Sequence, residues 1–189
     1  MVGVDEVGRG CWAGPLLVVA ARTVGALPVG LKDSKLLSKI QREKLFIKLQ
    51  KSCDFAEGWI NAQEIDERGL AGSLRLGTAR ALVALKTDAD EEVIIDGAVN
   101  YAPPAFVRVN CIVRADSLVP LVSAAGIYAK VKRDQCMAQL ARVHPSYGFE
   151  RHVGYGTKAH QLALKNFGAL NNVHRLSFRP MSLANEATL

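Results

Sequence analysis

Four acidic residues stand where a carboxylate can do more than keep a surface solvated. Asp5 and Glu6 follow the apolar run Val2-Gly3-Val4 and lead into Gly8-Arg9-Gly10. A strand that ends at Asp5 and gives way to a glycine turn sets two adjacent acids at a sheet edge. Strand side chains alternate between faces, so the two can share one surface only where the strand end is irregular. Adjacent carboxylates repel unless a cation is near, and a divalent metal is the strongest candidate. Asp96 repeats the pattern, placed directly after Val93-Ile94-Ile95 and directly before Gly97. Asp116 follows another strand candidate and precedes a helical stretch, where it either joins the other acids or caps the helix N-terminus. Ligands of open α/β sheets gather beyond strand ends, so acids remote in sequence can meet there. An all-oxygen set of Asp5, Glu6, Asp96 and Asp116 suits Mg²⁺ or Mn²⁺ rather than zinc.

The elements that must position these acids are legible as alternating strand and helix patterns. Residues 1–5, 16–24, 55–60, 93–95 and 107–113 read as strands. Ser38 with Gln41 forms a capping box that opens a helix through about Cys53, with Leu45, Phe46 and Leu49 as its apolar stripe. Asn61 with Glu64 is a second capping signal, and a helical pattern interrupted near Gly69 and Gly72 continues to about Lys86. A third helix spans about Pro120 to Val143, with proline in its first turn. Residues 144–156 are rich in Gly, Pro and Tyr and read as loop, and Thr157 caps a last helix that Gly168 ends. Strands with interleaved helices give an α/β class with a mixed sheet and a small helical C-terminal extension. The expected division is residues 1–143 as the main domain and 144–189 as the extension.

With 189 residues the chain can build a full core. Its 24 basic and 18 acidic residues leave a net charge of +6, which suits a polyanionic partner without requiring one. Cys11, Cys53, Cys111 and Cys136 form no CxxC pair, so neither a zinc site nor a disulfide framework is expected. No uninterrupted apolar run of about 18 residues occurs. The expectation is a soluble, cytoplasmic protein with no membrane partner, and nothing in the chain demands an oligomer, so a monomer is expected.

Several long segments together are more specific than any one motif. GVDEVGRGCWAGP (Gly3 to Pro15), KDSKLLS (Lys32 to Ser38), IDG (Ile95 to Gly97), ADSLVPLVSAAGIYAKVKRD (Ala115 to Asp134), HPSYGFERHVGYGTKAH (His144 to His160) and HRLSF (His174 to Phe178) occur in this order. With them the chain resembles the ribonuclease HII (type 2 ribonuclease H) family over nearly its whole length. The resemblance implies a ribonuclease H-like mixed sheet flanked by helices, and a nuclease centre on two divalent ions, Mg²⁺ or Mn²⁺. It carries the metal-binding acids onto Asp5, Glu6, Asp96 and Asp116, with Asp5 central. The implied reaction is hydrolysis of the RNA strand of RNA–DNA hybrids and nicking 5′ of single ribonucleotides in duplex DNA, leaving 3′-hydroxyl and 5′-phosphate ends. Ribonucleotide removal from DNA and RNA primer removal would be its uses. Gly126 departs from the serine usual in the family, and a glycine there should cost the helix roughly 0.8–1 kcal/mol relative to alanine.

Telling RNA from DNA requires contact with the 2′-hydroxyl. Gly8, Arg9 and Gly10 suit that task, since glycines let main-chain groups approach a hydroxyl closely. The resemblance implies that this turn reads the ribonucleotide and that Tyr155 stacks on the adjoining deoxyribose. Lys32, Lys35, Lys130 and Arg133 lie in the matched segments and are candidates for phosphate binding. His144, His152, His160 and His174 show no metal-ligand spacing and read as loop or packing residues, with His174 a weak candidate near substrate. A dinucleotide-binding domain fails as a rival, because Pro15 and a β-rich run follow where a phosphate-facing helix should begin. A non-catalytic RNA-binding module leaves the strand-end acids unexplained. The Gly-Arg-Gly and Gly-Tyr-Gly segments argue against a resolvase or transposase core.

Overall fold

Five strands form one sheet in the order β3-β2-β1-β4-β5, in a computed structural model that describes residues 1–181. They are β1 (Val2–Val7), β2 (Leu16–Thr23), β3 (Cys53–Ile60), β4 (Val93–Asp96) and β5 (Val109–Ile112). β1 lies in the middle, antiparallel to β2 and parallel to β4, and β4 runs parallel to β5. The sheet is therefore mixed. The neighbour of β1, strand β2, is a continuous apolar run, as a strand covered on both faces reads; Leu16 to Ala21 are all buried.

The helices are α1 (Lys39–Leu49), α2 (Ala62–Ala84), α3 (Ala115–Leu118), α4 (Pro120–Val143), α5 (Phe149–His152) and α6 (Lys158–Phe167). Local capping sets their starts. The Ser38 hydroxyl accepts from the Gln41 N–H at 3.3 Å while the Gln41 side chain accepts from the Ser38 N–H at 2.8 Å. Asn61 and Glu64 exchange the same pair of bonds at 2.8 and 3.0 Å. The expected break in α2 falls at Gly69, whose φ of 66° no helical residue adopts. α4 runs unbroken through Gly126. Among the described residues no helix is long and apolar enough to cross a membrane.

The chain folds into two compact units built from non-contiguous stretches. The first takes residues 1–7, 17–59 and 74–131, and contains the sheet. On one sheet face, Leu17, Val19 and Ala21 pack with Leu45 and Leu49 of α1 and with Leu121, Ala124 and Ala125 of α4. On the other, Val18 lies against Gly77 of α2. The second unit takes residues 8–16, 60–73 and those from Lys132 onward. Its core joins Ala13, Met137, Tyr147, Phe149, Leu164 and Met181. The expected C-terminal extension falls within this unit as far as Met181, and its last eight positions, 182–189, lie outside the described residues.

The stretch 144–156 is not the plain loop its composition suggests. It holds a 3₁₀ turn at Pro145–Tyr147 and the four-residue α5. Such short helices carry almost no propensity signal, since nucleation is costly and packing must supply the stability. Here the packing comes from Phe149, which is fully buried and contributes about 1.5–3 kcal/mol on that account.

Candidate active site

β1 does not stop at Asp5. Pairing with β2 continues through Asp5↔Val19, Glu6↔Val18 and Val7↔Leu17, so both acids lie within a regular strand rather than at an irregular end. Alternation then assigns them to opposite faces. Asp5 shares its face with Gly3, and both abut α4: a Cβ on Gly3 would sit 2.7 Å from the Leu121 carbonyl carbon, and one on Gly126 would collide with Asp5 Oδ2. Gly126 thus does more than weaken a helix. Its missing side chain is the space that the Asp5 carboxylate uses.

Asp5 is only 8% exposed, and its Oδ1 accepts a 2.7 Å hydrogen bond from the Glu6 N–H. Burial raises its pKa well above the usual carboxylate range, and the charges of Glu6, Asp96 and Asp116 push the same way. The Glu6 N–H bond opposes them without cancelling them. Asp116 is also buried, and its pKa is raised by burial first, then by Asp33 and Asp96, against a lowering from Lys35. Within the first unit, then, Asp5 is opposed by three other carboxylates and Asp116 by two, and each of these two is harder to ionise for it.

Backbone geometry explains how the two distant acids arrive. Asp96 is the last residue of β4, and the Gly97 N–H bonds the Ile112 carbonyl at 3.0 Å, carrying the chain out beside β5. Asp96 Oδ1 accepts from the Ala115 N–H at 2.7 Å, so Asp96 supplies the cap of α3. Asp116 is consequently not the cap; it sits within the first turn, after Arg114 in a left-handed conformation. Among the described residues no three His, Cys, Asp or Glu side chains are drawn together closely enough to grip an ion as they stand. The donor set is nonetheless the kind a hard divalent cation takes: oxygen only, anionic and partly desolvated.

Asp33, in the KDSKLLS segment, is a further acid at this site that residue type alone does not single out. It interacts with Asp116, and its Oδ1 accepts from the Lys35 N–H at 2.8 Å, with Lys35 Nζ 3.9 Å away. Its only advance signal was an acid flanked by lysines in a turn. Lys35 and Lys32 are exposed, and Lys130 is half-buried on α4.

The glycine turn and the Tyr155 loop belong to the second unit. Gly8 is buried with φ 91°, and a Cβ there would strike the Arg133 guanidinium. Arg9 and Gly10 are exposed. Arg133 corrects a phosphate-binding expectation. It is fully buried, and its guanidinium donates to the carbonyls of Pro15 (2.8 Å), Val153 (2.9 Å) and Ala13 (3.2 Å). It braces the turn from inside and presents no donor to solvent. Arg175, equally buried and missed in the sequence, completes the brace through bonds to Arg9 O (3.1 Å) and Gly14 O (3.0 and 3.1 Å). Burial lowers its pKa to about 10, which still leaves it charged at neutral pH.

Tyr155 keeps 43% of its surface exposed. Its N–H donates to the His152 carbonyl at 2.9 Å and its carbonyl accepts from the Thr157 N–H at 2.8 Å. His174 is 1% exposed and bonded to His160 at 3.1 Å, so it does not face a substrate, correcting the expectation for that residue.

Comparison with known proteins bears on the family and the fold. The ribonuclease HII family model matches residues 2–181. The chain is 43% identical over 177 residues to the ribonuclease HII of Campylobacter concisus, covering 93% of this chain and 91% of the relative. It is 42% identical over 187 residues to that of Thermus thermophilus, covering 97% and 88%. In structure it resembles the ribonuclease H2 of Pyrococcus horikoshii with a TM-score of 0.75 and 27% identity, covering 98% of this chain and 97% of that one. A five-stranded mixed sheet with acids on neighbouring strands and a family match over nearly every described residue lead to one conclusion: the chain belongs to the ribonuclease HII family and is a ribonuclease H, an endoribonuclease of RNA–DNA hybrids.

Proposed function

We propose that Asp5, Glu6, Asp96 and Asp116 hold two divalent ions, Mg²⁺ or Mn²⁺, and that the enzyme nicks 5′ of a ribonucleotide embedded in duplex DNA as well as cutting hybrids. The observation that carries this is the electrostatic state of Asp5, a buried carboxylate opposed by three others. Such a cluster is unfavourable unless a cation neutralises it. When bound, a metal pair supplies an activated water, relief of phosphate charge and stabilisation of the leaving oxygen.

The chain's own groups supply position and selection. Asp96 fixes α3 through the Ala115 N–H and so fixes Asp116 one residue on. The Gly8-Arg9-Gly10 turn, two residues beyond Glu6 along the chain, offers main-chain groups to the ribose 2′-hydroxyl. Tyr155 offers an exposed ring for stacking on the neighbouring deoxyribose. Lys32, Lys35 and Lys130 contribute the salt-dependent part of binding. Products carry 3′-hydroxyl and 5′-phosphate ends, which fits ribonucleotide removal and primer removal. The same reading has the enzyme act as a cytoplasmic monomer, in keeping with four free thiols.

The test is cleavage of a DNA duplex with one embedded ribonucleotide beside its all-DNA counterpart, with Mg²⁺, with Mn²⁺ and with chelator. Nicking 5′ of the ribonucleotide alone, and only with metal, is expected. Equal cutting of both duplexes would remove the 2′-hydroxyl from the argument.

A further inference from the structure

The second unit contains three histidines whose proton positions are dictated by their partners. His160 Nδ1 lies 3.0 Å from the Tyr155 carbonyl, which can only accept, so Nδ1 carries the hydrogen. Nε2 of the neutral ring is then an acceptor, and His174 Nε2, 3.1 Å away, must donate to it. That leaves His174 Nδ1 as an acceptor, and it receives the Leu170 N–H at 2.8 Å. Each step fits the next. A continuous relay runs from Leu170 through His174 and His160 to the Tyr155 carbonyl.

His152 joins it from α5. Its Nε2 donates to the Tyr147 carbonyl at 2.8 Å, its Nδ1 accepts the Gly154 N–H at 3.2 Å, and its ring stacks on His160 with centroids 4.5 Å apart. All three rings are buried. The relay tolerates no additional proton. A proton on His160 would set two N–H groups face to face at Nε2, and one on His174 would oppose the Leu170 N–H.

From this geometry we infer that His160 and His174 are positioning residues for substrate recognition, holding the Tyr155 main chain so that its ring stays presented. The inference rests on the reading of Tyr155 as the stacking residue. The titratable groups around the pair reinforce neutrality: His152 and His144 repel added charge, and Tyr147 contributes a tilted ring 5.4 Å from His174 rather than an anion. Burial depresses both imidazoles to about 4, so at neutral pH the relay is intact. These residues act on binding through Tyr155 and have no part in the chemical step.

The experiment combines nitrogen-15 NMR of the histidines with kinetics on a single-ribonucleotide duplex. At pH 7.5 His160 should be protonated at Nδ1 alone and His174 at Nε2 alone; reversed tautomers or a charged ring would overturn the inference. His160→Leu should raise KM about tenfold with kcat little changed, and should speed exchange of the Tyr155 amide. His160→Asn keeps a donor for the Tyr155 carbonyl and should restore KM. Combined with Tyr155→Ala, His160→Leu should add almost nothing, as coupled residues do; a fully additive double variant counts against the inference. If Tyr155→Ala by itself leaves KM unchanged, the stacking reading falls. The loop-holding role is then decided by the tautomers and amide exchange, which need no substrate and can be read on the wild type as pH falls from 7 to 5.

Discussion

The acid cluster of the first unit and the turn-and-loop assembly of the second solve opposite problems. Around Asp5, burial and the charges of Glu6, Asp96 and Asp116 all raise its pKa, against the opposing hydrogen bond from the Glu6 N–H. Around the turn, two buried guanidiniums spend their donors on the carbonyls of Arg9, Ala13, Gly14, Pro15 and Val153, and neutral imidazoles pair donor to acceptor. One region is left electrostatically unfinished and the other is finished within the protein. A site that must recruit cations benefits from the first condition, because metal binding then recovers free energy. The hydroxyl recognition proposed for the turn would benefit from the second, since a satisfied and rigid backbone loses little on binding.

The sharpest way to break this contrast is to neutralise one acid. Asp96→Asn should lower kcat by at least about 10²–10³-fold, the scale of losing one preorganised electrostatic group. In chelator the same protein should melt no lower than wild type, because one repulsive charge is gone, although part of that gain is offset if the amide bonds Ala115 less well. Cleavage at wild-type rate in Mg²⁺ would dissolve the difference between the two regions.

Acid should break the second region instead. The unfolded imidazoles of His160 and His174 take up protons near 6.5, whereas the folded ones resist until about 4. Across that interval the unfolded chain binds more protons, so stability falls as pH drops from 6.5 towards 4, and the pair adds no pH dependence above or below it. The loss should be on the order of 3 kcal/mol, with coupling between the rings reducing the sum of two independent shifts. Urea unfolding at pH 7 and pH 5, for wild type and His174→Gln, measures it. An equal pH slope in both proteins would show that the pair is not the source.

These two regions also differ in how far the sequence revealed them. Asp5, Asp96 and the capping pairs Ser38–Gln41 and Asn61–Glu64 are local signals, an acid after an apolar run or two polar residues three apart, and the structure keeps the elements they mark. The extension of β1 past Asp5 was not legible, because it depends on register with Val18 and Val19 across the sheet. Arg133 looked like a surface cation, since nothing local announces that its five donors will be enclosed. His160 and His174 stand fourteen positions apart in chemically unremarkable surroundings, and only packing makes them a pair. An acid after an apolar run is written locally, whereas the bracing of a turn is written in contacts across 118 to 166 positions.

Tyr155 sharpens the comparison at smaller scale. Tyr155→Ala should cost about 1–3 kcal/mol in kcat/KM on the single-ribonucleotide duplex, and less on a continuous hybrid, if stacking beside the junction is its task. Tyr155→Phe should keep most of the activity, because the ring makes the contact. A folded alanine variant with unchanged kcat/KM on both substrates would reduce Tyr155 to a packing residue.

The smallest effect should come from Gly126, where the two kinds of cost meet in one residue. Replacing it with alanine removes a helix penalty of roughly 0.8–1 kcal/mol. The new Cβ, however, occupies the space of Asp5 Oδ2, so the carboxylate must rotate or retreat. A side chain forced off its rotamer costs about 0.5–1.5 kcal/mol, and the two terms nearly cancel in stability. They do not cancel in function, since the displaced group is the central acid of the cluster. Gly126→Ala should therefore leave Tm within a few degrees of wild type while raising the Mg²⁺ concentration for half-maximal activity. Gly126→Ser displaces the carboxylate equally but offers it a hydroxyl donor, so its metal requirement should fall between alanine and wild type. Mg²⁺ titrations of activity, paired with melting curves in chelator, separate the two terms. Identical half-saturation in all three proteins would mean that Asp5 does not need the space that Gly126 leaves.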